Sequence, residues 1–98
     1  MSDISIARED TPAGGRYIGH IAGNPDEAEL VYTRPEPARV VAVRTFAPES
    51  MRGTGMALAL VERLVADARA EGFRIVPQCP YVKAQYQRHP QWADVIED

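Results

Sequence analysis

Two glycines separated by one residue stand in the segment Arg52-Gly53-Thr54-Gly55-Met56-Ala57, between the apolar run at 40–43 and a long helical pattern. This order predicts a strand, a turn and a helix. Such a turn gathers unpaired backbone N–H groups at the positive end of the helix dipole, which suits a phosphate. A diphosphate could approach Gly53 and Gly55 closely because they lack Cβ atoms, and Arg52 could add a charge-assisted contact. The alternative is a tight turn that binds nothing.

Two further side chains near the C-terminus could do chemistry. Cys79 precedes Pro80, and proline favours the first position of a helix, so we expect Cys79 to be the N-cap of a helix that runs to about Arg88. The helix dipole favours a thiolate there, which makes Cys79 a candidate nucleophile, whereas a small buried thiol is the alternative. Tyr86 lies two turns further along near the same face, and its alternative is an aromatic core residue.

The elements that must position these residues follow from the apolar patterns. Alternation on both sides of residues 24–26 predicts a hairpin over 16–34. A third strand is expected at 38–46, and its continuous apolar run indicates that both of its faces are covered. A helix over 55–71 carries an apolar stripe of period 3.6 and ends at Gly72.

A short strand is expected at 73–77, directly after the helix. A strand that follows a crossover helix pairs in parallel with the strand before it. We therefore predict an α/β (α+β) fold with a mixed sheet, in which an antiparallel meander is followed by a helix crossover to a parallel strand and a C-terminal helix. Residues 91–98 are expected to add a last helical turn.

The bulk composition excludes several classes of protein. The 98 residues predict one domain, 1–98, in which 1–15 form a loosely packed N-terminal arm or a short edge strand. A charge of −3 argues against a general nucleic-acid surface, and no apolar run approaches the roughly 20 residues of a membrane span. One cysteine and no signal peptide predict a cytoplasmic protein. His20, Cys79 and His89 lack the short spacing of metal ligands, so we expect no metal.

The segment 52–57 resembles the acetyl-coenzyme A pyrophosphate loop, Arg/Gln-x-x-Gly-x-Gly/Ala, of the GNAT acetyltransferase superfamily. The C-terminal segments Pro77-Gln78-Cys79-Pro80-Tyr81-Val82 and Arg88-His89-Pro90-Gln91-Trp92 resemble the end of very short, single-domain GNAT-like proteins. The resemblance covers about residues 16–96. It implies a minimal GNAT-like fold and an N-acetyltransferase that moves an acetyl group from acetyl-coenzyme A to an amine.

The resemblance also implies roles for individual residues. Thr45, Phe46 and Ala47 would lie along the pantetheine arm, and Arg52, Gly53, Thr54, Gly55, Met56 and Ala57 would hold the diphosphate. Tyr86 stands where larger GNAT enzymes carry the tyrosine that protonates the departing thiolate. Cys79 stands where those enzymes often carry an asparagine that touches the pantetheine.

One departure from the family pattern lies at Arg44-Thr45-Phe46. Members of the short family tend to have His-Thr-Glu/Asp here, and a carboxylate at Phe46 could have taken a proton from the attacking amine. Catalysis therefore depends on water, on another group such as Glu49 or on an amine that arrives deprotonated, or it is lost and the chain only binds acyl-coenzyme A. The acceptor is unidentified, and we expect a monomer or a weak homodimer whose partner chain could complete the acceptor pocket.

Overall fold

The chain folds into a five-stranded sheet and two α-helices in the computed structural model, which describes residues 3–97. Its strands and helices, in chain order, are β1 (Ile4–Thr11), β2 (Gly14–Ile21), β3 (Ala28–Glu36), β4 (Arg39–Phe46), α1 (Met56–Glu71), β5 (Arg74–Pro77) and α2 (Pro80–Arg88). Two short 3-10 helices, Glu49–Met51 and Pro90–Asp94, precede α1 and follow α2.

The strands lie in the sheet in their sequence order, from β1 to β5. The first four pair antiparallel with their neighbours, and β4 pairs in parallel with β5 across the α1 crossover. This arrangement confirms the predicted mixed sheet, with an antiparallel meander followed by a parallel strand and a C-terminal helix.

Helix α1 begins and ends at glycines, as its sequence pattern predicts. Gly55 is its N-cap and Gly72 its C-cap, and the Gly72 amide donates to the carbonyl of Ala68 at 2.9 Å. Its inner stripe consists of Leu60, Val61, Leu64, Val65 and Ala68, which are all buried. The stripe packs mainly on β2 and β3.

The main hydrophobic core lies on one face of the sheet. Val40 and Ala42 of β4 are buried in it, whereas Val41 and Val43, which point the other way, are half-buried. The expectation that both faces of this strand are covered is therefore wrong. Val40 and Ala42 of the apolar run at 40–43 face the core. Val41 and Val43 lie on the open face of the sheet, where Val41 is opposite Val76 of β5.

The N-terminal residues are packed more firmly than the predicted loose arm. β1 pairs with β2 along its whole length, from Ile4 opposite Ile21 to Thr11 opposite Gly14. Ile4 and Ile6 pack against the core, and Arg8 donates to Asp67 of α1 at 3.2 Å. The description of a loosely packed arm is therefore wrong for residues 4–11, which form the edge strand, while Met1 and Ser2 lie outside the described residues.

The C-terminal segment closes the core beneath β5. Trp92, Val95 and Ile96 are buried, and Ile96 forms a parallel bridge with Ile75. The His89 ring stacks on Trp92 with a centroid distance of 4.3 Å and donates from Nδ1 to the carbonyl of Gln85 at 2.8 Å. The last helical turn, predicted over 91–98, is the 3-10 helix at 90–94, and Asp98 lies outside the described residues.

Candidate functional site

The glycine turn before α1 leaves its main chain open to solvent. Gly53 and Gly55 have φ angles of 77° and 85°, in the left-handed region that favours glycine. A Cβ atom built on either glycine would meet no other atom within 4 Å. Glycine is therefore required by the backbone conformation rather than by crowding, and the space above the turn can receive a ligand.

Several amides of this turn have no partner within the described part of the chain. The Thr54 hydroxyl donates to the carbonyl of Met51 at 2.5 Å and accepts from the Met56 amide at 3.3 Å. Among residues 3–97, the amides of Gly53, Gly55, Ala57 and Leu58 form no hydrogen bond. Because they lie at the positive end of the α1 dipole, they form a site suited to an anion.

The turn borders a depression of about 210 Å³ at the front of α1. Arg52 is 82% exposed and lies 4.0 Å from Glu49, a weak contact that leaves its guanidinium free to reach a ligand. Apart from Tyr81, the other lining residues are glycines or have apolar side chains. They are Ala47, Met51, Gly53, Gly55, Met56, Ala57 and Leu58.

Close packing between β2 and the start of α1 fixes the position of the turn. A Cβ atom at Gly19 would lie 2.3 Å from Sδ of Met56, so glycine in β2 allows Met56 to rest directly on the sheet. Met56 is fully buried and is the first residue of α1. This contact fixes the start of α1, and with it the unpaired amides, relative to β2.

The sheet opens beside this depression, where β4 and β5 part. Their parallel pairing ends at Ala42 opposite Pro77, and the Cys79 amide then donates to the carbonyl of Ala42 at 2.8 Å. A register shift leaves Val43 as the extra residue of a bulge opposite β3. Within the described part of the chain, no strand pairs with residues 43–46 on the β5 side, so an extended ligand could lie along them.

Cys79 occupies the predicted N-cap of α2, and its thiol faces this opening. The residue is 2% exposed, and its Sγ lies 3.4 Å from the hydroxyl oxygen of Thr45. No histidine or carboxylate among the described residues hydrogen-bonds the thiol. The geometry therefore provides a buried thiol beside β4 without an attached base, which does not favour the nucleophile interpretation.

Tyr86 is half-buried against the core and does not line the depression. Its hydroxyl forms no hydrogen bond with another described residue, so this proton remains available to a ligand. Phe46 is 50% exposed at the end of β4, and Ala47 lies between it and the glycine turn. The predicted site residues of β4 and of the glycine turn thus lie beside Cys79 at adjoining ends of β4, α1 and α2, whereas Tyr86 lies towards the other end of α2.

Tyr81 is a member of the depression that sequence reasoning did not select. It is the second residue of α2, and burial raises the pKa of its phenol. The available signal was the Cys-Pro-aromatic turn, because Tyr81 lies in the same first turn of α2 as the Cys79 N-cap.

A larger hollow of about 570 Å³ lies at the far end of α1, and its lining includes Asp10, Arg34, Glu36 and Glu71. We do not place the site there because its carboxylates repel a phosphate and none of the predicted site residues reaches it. Residues 3–97 contain no group of three or more side chains arranged to hold a metal. None of the helices in that range combines the length and apolarity needed to cross a bilayer.

Comparison with known proteins identifies the family. The family described as GCN5-related N-acetyl-transferase matches residues 16–95, which run from within β2 to beyond α2 and include the glycine turn. A search of curated proteins found no significant match. The mixed sheet with its β4–α1–β5 crossover is consistent with a minimal form of this fold. The chain belongs to the GCN5-related N-acetyltransferase family.

Proposed function

We propose that the protein is an acetyl-coenzyme A-dependent N-acetyltransferase that acts on an unidentified amine. The observation that carries the proposal is the set of unpaired amides at Gly53, Gly55, Ala57 and Leu58, beside the gap between β4 and β5. The diphosphate of the coenzyme would bind these amides and Arg52. Its pantetheine arm would extend along residues 45–47 towards Cys79.

The co-substrate would supply the acetyl thioester, and the protein would orient it and move protons. The amine nitrogen attacks the thioester carbonyl, the bond from that carbon to sulfur breaks, and the departing thiolate takes a proton. Tyr86 is the proposed proton donor because its hydroxyl is otherwise unpartnered in the described chain. Backbone N–H groups near Phe46 and Ala47 would polarise the carbonyl oxygen.

The attacking amine must also lose a proton, and no carboxylate stands at the position of Phe46. Glu49 is the nearest alternative in the sequence, and its side chain is 89% exposed beside Arg52. Water or a deprotonated amine would serve the same purpose. The proposal therefore expects a slow enzyme whose rate rises with pH as more of the acceptor amine becomes neutral.

A second candidate is an acyl-coenzyme A-binding module with little or no turnover. It is favoured by Phe46, which is 50% exposed where a base would be expected, and by a Cys79 thiol that contacts no base among residues 3–97. Both candidates require the same coenzyme site. They differ only in whether the acetyl group is transferred from the bound coenzyme to an amine.

Two measurements test the shared coenzyme site and then separate the candidates. Thermal unfolding with coenzyme A at about 100 times its dissociation constant should reveal roughly 2.7 kcal/mol of added stability, whereas a chain that does not bind coenzyme A shows none. Release of free thiol from acetyl-coenzyme A in the presence of an amine panel then tests turnover. Binding without release across a wide panel supports the second candidate, and a mixture without protein measures spontaneous hydrolysis.

A further inference from the structure

Tyr81 is held firmly at the edge of the depression by the start of α2. The Cys79 amide bonds to Ala42 of β4 at 2.8 Å, and Pro80 occupies the first helical position. These two constraints anchor the first turn of α2 to the sheet. The Tyr81 side chain consequently lines the same depression as the glycine turn, although it belongs to a different element.

Of the described side chains that line this depression, two carry a polar group, namely those of Arg52 and Tyr81. Arg52 is 82% exposed, so its guanidinium is loosely held, whereas Tyr81 is half-buried and packs against the core. An ordered donor loses less conformational entropy on binding than a mobile one. Tyr81 is therefore the better-placed side chain to recognise a ligand in this depression.

The phenol is suited to donate a hydrogen bond. Burial raises its pKa, so the hydroxyl stays protonated at neutral pH. The side chain of Gln85, one helical turn further along, opposes this shift and lowers the pKa, and the phenol donates no hydrogen bond to an acceptor among residues 3–97. The phenol proton is then free for another acceptor.

We propose that Tyr81 is a binding residue of the coenzyme site and donates its phenol proton to the diphosphate held by the glycine turn. This inference rests on the proposed coenzyme function. It assigns the diphosphate a side-chain donor from α2 in addition to the amides of α1. The diphosphate would thus bind between the N-terminal ends of α1 and α2.

The test compares Tyr81→Phe with the unmodified protein in titrations with coenzyme A and with inorganic pyrophosphate. The variant keeps the ring and should keep the unfolding temperature measured without ligand. Losing a hydrogen bond to a charged group should weaken the binding of both ligands about tenfold. Tyr32→Phe is the matched control, because it removes a phenol hydroxyl that bonds to Asp10 at the other end of the molecule, and it should bind both ligands as the unmodified protein does.

Each other outcome has a defined meaning. If Tyr81→Phe binds both ligands with unchanged affinity, or loses affinity only for coenzyme A, the phenol does not contact the diphosphate and the inference is wrong. An equal loss in Tyr32→Phe would overturn it as well. If the unmodified protein binds no coenzyme A, the proposed function itself fails, and this result is distinct from the preceding ones.

Discussion

The hydroxyl of Thr45 lies 3.4 Å from the thiol of Cys79 and so joins the last residues of β4 to the N-cap of α2. The two residues lie on opposite sides of the gap where β4 and β5 part, and both are at least half-buried. The contact closes the inner end of the gap. If the pantetheine arm of acetyl-coenzyme A lies along β4, as proposed, its thioester end would lie near Thr45 and Cys79.

Burial of the Cys79 thiol should make it slow to react in the native protein. The residue is 2% exposed, so an aromatic disulfide reagent must wait for the structure to open. We expect its reaction to be at least about 100-fold slower in native buffer than in guanidinium chloride. Coenzyme A should slow it further by stabilising the native state. Equal rates in the two solvents would show that the thiol is accessible and would restore its candidacy as a nucleophile.

Alanine at Gly53 or Gly55 should weaken coenzyme A binding more than it weakens the fold. Each substitution forces a side chain into the left-handed region and should lower the free energy of unfolding by about 1 kcal/mol. The added methyl group also occupies the space above the unpaired amides, so we expect coenzyme A affinity to fall at least about tenfold.

Gly72→Ala is the matched control for these variants. Gly72 has a φ of 80° and also has no atom within 4 Å of a built Cβ, but it lies at the opposite end of α1. It should lose similar stability in urea unfolding and keep its coenzyme A affinity in titration calorimetry. Equal affinities in all three variants would contradict anion binding at the glycine turn.

Thr54→Val should loosen the turn without changing its volume. The variant loses the hydroxyl that donates to Met51 and accepts from the Met56 amide, at a cost of about 1 kcal/mol. We expect a several-fold loss of coenzyme A affinity, because the neighbouring amides are no longer held in place. Thr11→Val removes a comparable bond, to the carbonyl of Gly14 at 2.8 Å, at the other end of the molecule. A loss of affinity in that control would refute the local explanation.

Phe46→Glu should raise turnover if the protein is an acetyltransferase that lacks a general base. Phe46 is 50% exposed, so a carboxylate is tolerated there, and general-base catalysis typically contributes about 10²–10⁴ in rate. We expect thiol release to increase by at least about 100-fold. Phe46→Gln has the same shape without a base and should show no gain. An equal rate for both variants would mean that deprotonation of the amine does not limit the reaction.

The helix boundaries could be predicted because they depend on local chemistry. Gly55, Gly72 and Pro80 each act within one helical turn, and the stripe from Leu60 to Ala68 repeats with the period of the helix. The glycine turn was predictable for the same reason. Its neighbours in the site were identified through the family resemblance, since residue spacing alone left both Cys79 and Tyr86 with two interpretations.

The remaining features depend on contacts between residues far apart in the chain. Arg8 fixes β1 by bonding to Asp67 and Glu71, which lie 59 and 63 residues away. The sequence of β1 shows only the alternation at Ile4 and Ile6, so its packing was underestimated. Tyr81 was missed because the depression exists only after α2 docks beside α1.

The buried Tyr17 phenol should make the protein sensitive to alkaline pH. Its hydroxyl donates to Asp67 at 2.7 Å, and burial followed by this bond raises the phenol pKa far above its ordinary value of 10.0. The unfolded chain therefore releases this proton at a lower pH than the folded one. The stabilisation is complete below about pH 10 and is lost as the pH rises above it, by up to about 1.4 kcal/mol per pH unit. Urea unfolding from pH 8 to pH 11 should show this decline, and Tyr17→Phe should decline less steeply because it has no proton to release. An unchanged slope in Tyr17→Phe would mean that other groups cause the alkaline unfolding.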